Sequence, residues 1–297
     1  MNIFKKKKRP LNDKNTLFAK LCTAPSIMGV MLFFIAPFFS VIYYSLVDNP
    51  IKKQFVGLEN FAKLLENIAF RTAAENTAVL ALITVPPAVV LSMLLAMLME
   101  TSIPGKSALR SIFLSPVMVP AASVVLVWQV VFHYNGTLNS WLARVFDTAN
   151  IDWLKSDYCL LVIALLFLWK NLGYNMILFL SALAGIPKDL LEVAELEGAG
   201  ALYRFFKIKL RYLSPTIIFV TILSLINSFK LFREVYLLTG DYPYEGLYLL
   251  QHYMNNTFRS FDYQKLSSAA ILMMLVMSVI IGTLIFFDNR LGGDIEE

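Results

Sequence analysis

The feature that most constrains this chain is a series of six long apolar runs, four of them free of charged residues. A helix needs ~20 apolar residues to cross the ~30 Å hydrocarbon core of a bilayer, because it rises about 1.5 Å per residue. The runs predict membrane spans at about residues 21–47, 76–99, 110–132, 158–184, 212–239 and 266–287. The expected fold class is therefore an all-α polytopic membrane protein with six transmembrane helices.

The composition is also that of a membrane protein. Of the 297 residues, 58% are hydrophobic and 16% are charged, and the mean hydropathy is +0.63. A soluble domain is nearer half apolar and a quarter charged, so we expect no large soluble domain beside a six-span membrane domain at 21–288. The net charge of +5 indicates membrane topology rather than nucleic-acid binding, because Lys and Arg in short loops set orientation.

The distribution of basic residues predicts that both termini are cytoplasmic. Of the 26 Lys and Arg residues, fifteen fall in segments on the side of the N-terminus and eight in segments on the other side. The run at 5–9 is the densest, so residues 1–20 are expected to be a basic cytoplasmic segment that contacts acidic membrane lipids. Residues 289–297 are then a cytoplasmic tail.

Cysteines, histidines and glycine-rich segments give no catalytic signature. Cys22 and Cys159 lie in separate apolar runs near what should be opposite membrane faces, so we expect no disulfide, and two thiols without a nearby His cannot make a metal site. His133 and His252 lie in outer loops without a His or Cys nearby, so we expect surface histidines rather than metal ligands. Residues 105–107 end like a phosphate-binding loop, but Glu100 stands where that motif needs glycine, so the chain is not expected to bind ATP.

A charged segment at 186–211, between the fourth and fifth spans, predicts an amphipathic helix on the cytoplasmic side. Pro187 suits a first helical position, because its missing N–H would have no partner there. Acidic residues recur at a spacing of three, which places them on one side of a helix, at Asp189, Glu192 and Glu195. The other side carries Leu190, Val193, Ala194 and Leu196. Gly198 and Gly200 are expected to end this helix, and a second short helix at 203–211 is expected to follow.

This segment resembles the cytoplasmic signature of permease subunits of binding-protein-dependent ABC importers. That signature is Glu-Ala-Ala, three residues, Gly, nine residues, then Ile-x-Leu-Pro. Its matching positions here are Glu192, Ala194, Gly198, Ile208 and Leu210, whereas Val193 replaces the first Ala and Arg211 the Pro. The resemblance extends over nearly the whole chain and points to the carbohydrate-uptake branch, of the maltose- or glycerol-phosphate-type first permease. Further matching stretches lie at 36–39, 55–61, 110–113 with Pro116, 136–139, 169–175 and 237–240.

The resemblance implies a heteromeric importer of a sugar or oligosaccharide in the cytoplasmic membrane of a bacterium. Its other parts would be a second homologous permease, two cytoplasmic ATPase subunits and an extracytoplasmic solute-binding protein. This chain would be non-catalytic and hold no cofactor, since ATP and magnesium would be bound by the ATPases. The helix at 187–199 would be the coupling helix that the ATPases move. The coupling residues implied are Glu192, Val193, Ala194, Glu195, Gly198, Ile208 and Leu210.

Polar residues inside the fourth span are the candidate substrate pathway. Polar groups in a membrane are costly and usually face protein or a water-filled cavity. The candidates are Trp169, Lys170, Asn171, Tyr174 and Asn175, with the indole suited to stacking on sugar rings. Interhelical hydrogen bonding is the competing explanation. In the fifth span, Lys230 and Glu234 could pair along the helix, and Lys230 and Arg233 could extend to the lipid headgroups.

Other classes of function stay open at this level. The three cations Lys170, Lys230 and Arg233 leave room for an anionic solute such as a glycerol phosphate. A secondary transporter or channel is the main alternative, although the sequence shows no inverted repeat. An integral-membrane enzyme would need clustered His, Asp or Glu at a membrane face, which the sequence lacks.

Overall fold

The computed structural model describes residues 13–49, 51–101 and 104–292, and these are mainly helical with one isolated antiparallel bridge between Val47 and Phe55. The expected basic segment before residue 13 and the tail beyond residue 292 lie outside the described residues. The chain divides into two compact units. Of the described residues, the first unit takes those up to Leu64 together with Asp262–Leu272, and the second takes those from Leu65 to Phe261 together with those from Met273 to Gly292.

Among the described residues, four α-helices begin in the first unit. They are α1 (Asp13–Val30), α2 (Ala36–Ser45), α3 (Glu59–Glu66) and α14 (Tyr263–Gly292). A π-helical segment, Met31–Ile35, joins α1 to α2 without a break. Pro37 follows it, and a proline ring inside a helix clashes with the carbonyl four residues earlier, here that of Phe33. Because Phe33 lies in the π-helical segment, the wider turn gives that ring room and the helix continues.

The second unit holds the other helices, from α4 to α13. They are α4 (Ile68–Glu100), α5 (Lys106–Met118), α6 (Ala121–Phe132), α7 (Thr137–Phe146), α8 (Cys159–Ala184), α9 (Lys188–Leu196), α10 (Ala201–Arg204), α11 (Leu210–Lys230), α12 (Phe232–Thr239) and α13 (Leu250–Arg259). A π-helical segment, Phe205–Lys209, joins α10 to α11, and a short 3₁₀ helix, Glu245–Leu247, precedes α13.

Five helices among the described residues are long and apolar enough to cross a membrane, and a bent pair makes a sixth span if counted as one. The bent pair replaces the continuous third span expected at 110–132. Lys106–Met118 and Ala121–Phe146 meet at 101°. The break falls where Val119 is extended, at ψ 127°, and Pro120 caps α6. A residue before proline is forced out of the helical region, so Pro120 separates the two helices.

The fifth span is longer than the predicted 212–239, whereas the third span is broken. The second short helix predicted at 203–211 is not separate, because helical structure runs from Ala201 to Thr239, through the π-helical segment and past Pro215. Likewise α4 begins at Ile68, eight residues before the apolar run predicted at 76–99, because the side chain of Asn67 caps its first turn by accepting a hydrogen bond from the Phe70 N–H at 3.0 Å.

The core of the second unit lies where α4, α8 and α11 pack together. Val89, Phe179 and Val220 are buried in one shared cluster. On its other side α8 meets α5 so closely that a Cβ at Gly173 would lie 1.8 Å from the Phe113 carbonyl oxygen. Only glycine permits that approach, which fixes α5 against the middle of α8.

Candidate substrate cavity and coupling helix

A cavity of about 430 Å³ lies between α5, α8, α11 and α12 of the second unit. Its lining combines charged and amide side chains with apolar ones. The lining residues are Val117, Phe167, Lys170, Asn171, Tyr174, Leu223, Asn227, Lys230, Leu231, Arg233 and Glu234. Lys170 is the twelfth residue of α8, roughly 17 Å along a helix that is long enough to cross a bilayer. The cavity therefore opens near the middle of the span.

An ion pair between Lys170 and Glu234 connects α8 to α12. The Glu234 side chain is only 6% exposed and that of Lys170 is 24% exposed. Burying either charge alone inside a span would be costly, so each stabilises the other. Of the two possibilities that the sequence left open for Lys230, the pair with Glu234 along the helix does not form, because Glu234 pairs with Lys170 whereas Lys230 is exposed.

Two amide side chains of α8, Asn171 and Asn175, make hydrogen bonds to α11. The Asn227 side-chain amide donates to Asn171 Oδ1, and the Asn175 amide donates to Ser224 Oγ, both at 2.9 Å. Asn171 and Asn227 also line the cavity, whereas Asn175 is fully buried and does not. For Asn175 the geometry therefore favours the interhelical hydrogen bond over contact with a solute.

Of the two aromatic candidates, Tyr174 and Trp169, one lines the cavity and the other does not. Tyr174 lines the cavity. Trp169 lies outside the lining, and its ring packs against Trp128 with centroids 5.3 Å apart. An indole in that pair cannot stack on a sugar in the cavity without moving. The sequence did not single out Asn227, although an amide inside an apolar run is itself the signal of a cavity or an interhelical bond.

The loop after the fourth span forms α9, one residue shorter at its start than predicted because Pro187 is its N-cap. The helix ends as predicted at Gly198, which has φ +82°. Two backbone hydrogen bonds close this end, from Gly198 N–H to Glu195 O at 3.0 Å and from Ala199 N–H to Ala194 O at 2.9 Å, the pattern of a Schellman motif. Gly200 is not a second terminator: its φ is −64° and it begins α10.

One face of α9 is anchored and another is uncovered. Ile186 is buried with Met99 and Leu213, and Leu191 packs against the same cluster. Leu190, Val193 and Leu196, spaced by three residues, are 39%, 57% and 88% exposed. We call these three side chains the apolar row of α9.

The acidic residues of α9 differ in whether they form an ion pair within this chain. Glu195 pairs with Arg204 of α10 at 2.6 Å, which braces α9 within its own loop. Glu192 is exposed beside the apolar row and has no ion pair among the described residues. Farther along, Ile208 and Leu210 are half-buried at the start of the fifth span, and Ala194 is half-buried too.

The prediction that His252 is a surface residue is wrong. It is 1% exposed in α13, where Phe232 packs edge-on at 4.7 Å and Nδ1 accepts a hydrogen bond from the Leu249 N–H at 3.2 Å. Burial lowers the pKa of His252 to about 4, against a smaller opposing effect of Asp241. His133 is exposed as expected, and in the described part of the chain no group of three His, Cys, Asp or Glu residues could hold a metal ion.

Residues 76–291 match the family of binding-protein-dependent transport system inner membrane components. The chain belongs to this family. Its predicted membership among permease subunits of ABC importers is thereby confirmed, and it is a transport subunit without catalytic activity of its own. As an inner membrane component it spans the membrane through the helices described above.

Relatives of this chain are permeases for sugars and for glycerol phosphate. It is 28% identical to the sulfoquinovosyl glycerol transport system permease protein SmoG of Agrobacterium fabrum, over 91% of this chain and 90% of that protein. It is 30% identical to the arabinooligosaccharides transport system permease protein AraP of Bacillus subtilis, over 73% and 71% of the two chains. It is 26% identical to the sn-glycerol-3-phosphate transport system permease protein UgpA of Rhizobium meliloti, over 92% and 94%.

Among solved structures, a bacterial alginate ABC transporter in complex with an alginate pentasaccharide-bound periplasmic protein has the same fold. The TM-score is 0.82 at 19% sequence identity, over 94% of this chain and 96% of that one.

Proposed function

We propose that this chain forms one half of the pathway of an ATP-driven, binding-protein-dependent importer for a sugar derivative in a bacterial cytoplasmic membrane. The observation that carries the proposal is the cavity on α8, α11 and α12, which opens near the middle of the span in a chain of this permease family. Amides and a tyrosine hydroxyl can bind sugar hydroxyls there, and the exposed side chain of Val117 can cover the apolar face of a ring.

The second half of the pathway would come from a homologous permease. The first and last spans of this chain leave an extended apolar surface: none of the most apolar 18-residue stretch of Lys20–Ser45 or of Tyr263–Phe287 is buried. Lipid and a partner subunit are the environments in which such helices are stable. An extracytoplasmic binding protein would deliver the solute, as a periplasmic protein is bound in the alginate transporter of the same fold.

The apolar row of α9, with Glu192 beside it, is proposed to seat in a groove of a cytoplasmic ATPase subunit. Three exposed apolar side chains on one short helix fit the helix-in-groove mode of recognition, in which residues spaced by three or four enter a partner. Two ATPases would bind ATP and magnesium and move α9, and with it the spans, so that access alternates between the two sides. With this assignment we also propose that the loop and both termini lie in the cytoplasm.

Reconstitution tests the proposed function. The chain would be co-expressed with the second permease, the ATPases and the binding protein encoded beside it, and the complex placed in proteoliposomes. We expect uptake of a labelled saccharide or saccharide derivative that needs both ATP and the loaded binding protein. Uptake by this chain alone, or uptake driven by an ion gradient without ATP, would instead identify a secondary transporter or a channel.

A matched pair of variants tests the seating of α9. Val193→Asp places a charge in the apolar row and should abolish co-purification of the ATPase. Leu202→Asp introduces the same charge at a position of α10 that is also exposed, at 75%, but outside the row, and should leave co-purification intact. Equal retention of the ATPase by both variants would exclude the apolar row as the contact.

A further inference from the structure

The charges that line the cavity do not balance. Lys170 is neutralised by its ion pair with Glu234. Lys230 and Arg233 line the same cavity, both are exposed, and neither has an ion-pair partner among the residues that the structure describes. The cavity therefore carries two uncompensated positive charges, on a stretch of the fifth span where the sequence offers no other acidic residue than Glu234.

The two cations lie three residues apart, so they share one face of the helical stretch at the junction of α11 and α12. An open cavity keeps such side chains hydrated while it is empty. When the transport cycle closes the cavity around a solute, that water is displaced, and an unpaired cation then becomes costly. A counter-charge on the solute removes the cost, and an arginine binds carboxylate, sulfonate or phosphate oxygens with two parallel N–H groups.

The remainder of the lining suits a solute that is only partly charged. Asn171, Asn227 and Tyr174 offer neutral donors and acceptors, and Leu223 and Val117 offer apolar surface. A simple inorganic anion would use none of these. A sugar or polyol with an attached acidic group would use all three kinds of contact.

We propose, on the basis of the function proposed above, that the transported solute is an anionic sugar or polyol derivative and that Lys230 and Arg233 bind its acidic group. Lys170, which the sequence made the leading candidate, is instead a positioning residue that holds α12 against α8 through Glu234. The competing account is that Lys230 and Arg233 only reach toward lipid headgroups.

The test uses the reconstituted complex with its binding protein and two matched pairs of solutes: trigalacturonate against neutral galactotriose, and glycerol 3-phosphate against glycerol. ATP-dependent uptake and stimulated ATPase activity are measured for each. We expect an acidic member of a pair to be transported. Arg233→Gln should then raise the half-saturating concentration of that acidic solute by about tenfold, the effect of losing one charge-assisted hydrogen bond. Arg233→Lys should have a smaller effect.

Lys265→Gln is the matched control, because Lys265 is a partly exposed lysine paired with Asp262 outside the cavity. It should leave uptake unchanged. A Lys230→Gln/Arg233→Gln complex should take up the acidic solute still less well than the Arg233→Gln complex. If the double variant fails to assemble, the comparison of Arg233→Gln with Arg233→Lys in the singly substituted complexes decides the point. Equal half-saturating concentrations in those two variants would overturn the proposal.

Uptake of only the neutral members would overturn the anion proposal and leave the importer function standing. So would an equal loss of neutral and acidic uptake in the Arg233→Gln complex, which is the result expected if the cations serve only to anchor the helix. If no solute of either kind enters in an ATP-dependent way, the proposed function fails together with the inference.

Discussion

At the scale of single residues, the ion pair of Lys170 and Glu234 shows how a charge becomes tolerable inside the membrane. Both groups lie on helices that are long and apolar enough to span the membrane, and the carboxylate is almost completely buried. Such a pair adds little stability compared with apolar residues of the same size, but removing one partner leaves the other charge buried and unpaired.

We therefore predict that Glu234→Gln destabilises the purified complex by roughly 3 kcal/mol or more, because Lys170 loses its counter-charge. The double variant Lys170→Met/Glu234→Gln should recover much of that loss. Thermal unfolding of the complex in detergent measures both. A double variant as unstable as the single one would mean that the two residues act independently.

His252 is a second residue whose environment determines its charge. Its pKa of about 4 in the folded chain lies below the ordinary value of 6.5, so folding disfavours the protonated ring. Above pH 6.5 the ring is neutral whether the chain is folded or not. As the pH falls from 6.5 toward 4, the unfolded chain takes up a proton that the folded chain does not, and stability falls.

His252→Gln should remove most of this acid sensitivity. A glutamine at that position can still accept the hydrogen bond of the Leu249 N–H, as the third residue of a helix does in a capping box. The measurement is the melting temperature of the complex between pH 7 and 4.5, compared with that of a His133→Gln control. Parallel pH profiles for the wild-type and His252→Gln complexes would contradict the assignment.

At the scale of helices, the contact of α5 with α8 depends on one missing side chain. Gly173→Ala should destabilise the complex by about 1–3 kcal/mol, because the new methyl group would meet the Phe113 backbone and push α5 outward. Gly282→Ala in α14 is the control, since a Cβ there has nothing within 4 Å. Denaturation of both variants is the measurement, and equal stability would show that α5 moves freely.

Helices and their ends can be predicted where the feature that determines them lies in neighbouring residues of the sequence. The spans followed from apolar runs, and the end of α9 followed from Gly198, because both depend on neighbouring residues only. The extent of the break at Pro120 could not be predicted from neighbouring residues. The sequence contains several prolines, and α4 and α11 continue through the prolines that they contain. Burial of His252 depends on Phe232 and on Leu249, and Phe232 lies twenty residues away in sequence.

At the scale of the whole molecule, the same limit applies to the candidate site. The sequence singled out Lys170, Asn171 and Tyr174 because polar residues are rare in a span, and all three line the cavity. It could not show which of the charged residues would be neutralised. That depends on how α12 packs against α8, a contact across 64 residues of sequence.

The transport cycle would join the cavity to α9, and Gly198 is the residue at which that connection can be tested. Its φ of +82° is a conformation that other residues reach only with strain, of order 1 kcal/mol or more, whereas asparagine tolerates it better. A Cβ added at this position would have no atom within 4 Å, so a substitution acts through the backbone rather than through a clash. Gly198→Val should therefore misdirect the end of α9, and Gly198→Asn should preserve it.

We predict that the Gly198→Val complex inserts normally but hydrolyses ATP without responding to the loaded binding protein, or loses its ATPase subunit, while Gly198→Asn keeps most of its uptake. Glu192→Ala should impair the same step more mildly, because it removes a contact without moving the backbone. Stimulated ATPase activity, uptake and co-purification are measured together in the reconstituted complex. Normal transport by the Gly198→Val complex would show that the direction of α9 after Leu196 does not matter for coupling. Motion would then have to pass through the contacts of Leu191, and of Ile186 just before α9, with the core cluster.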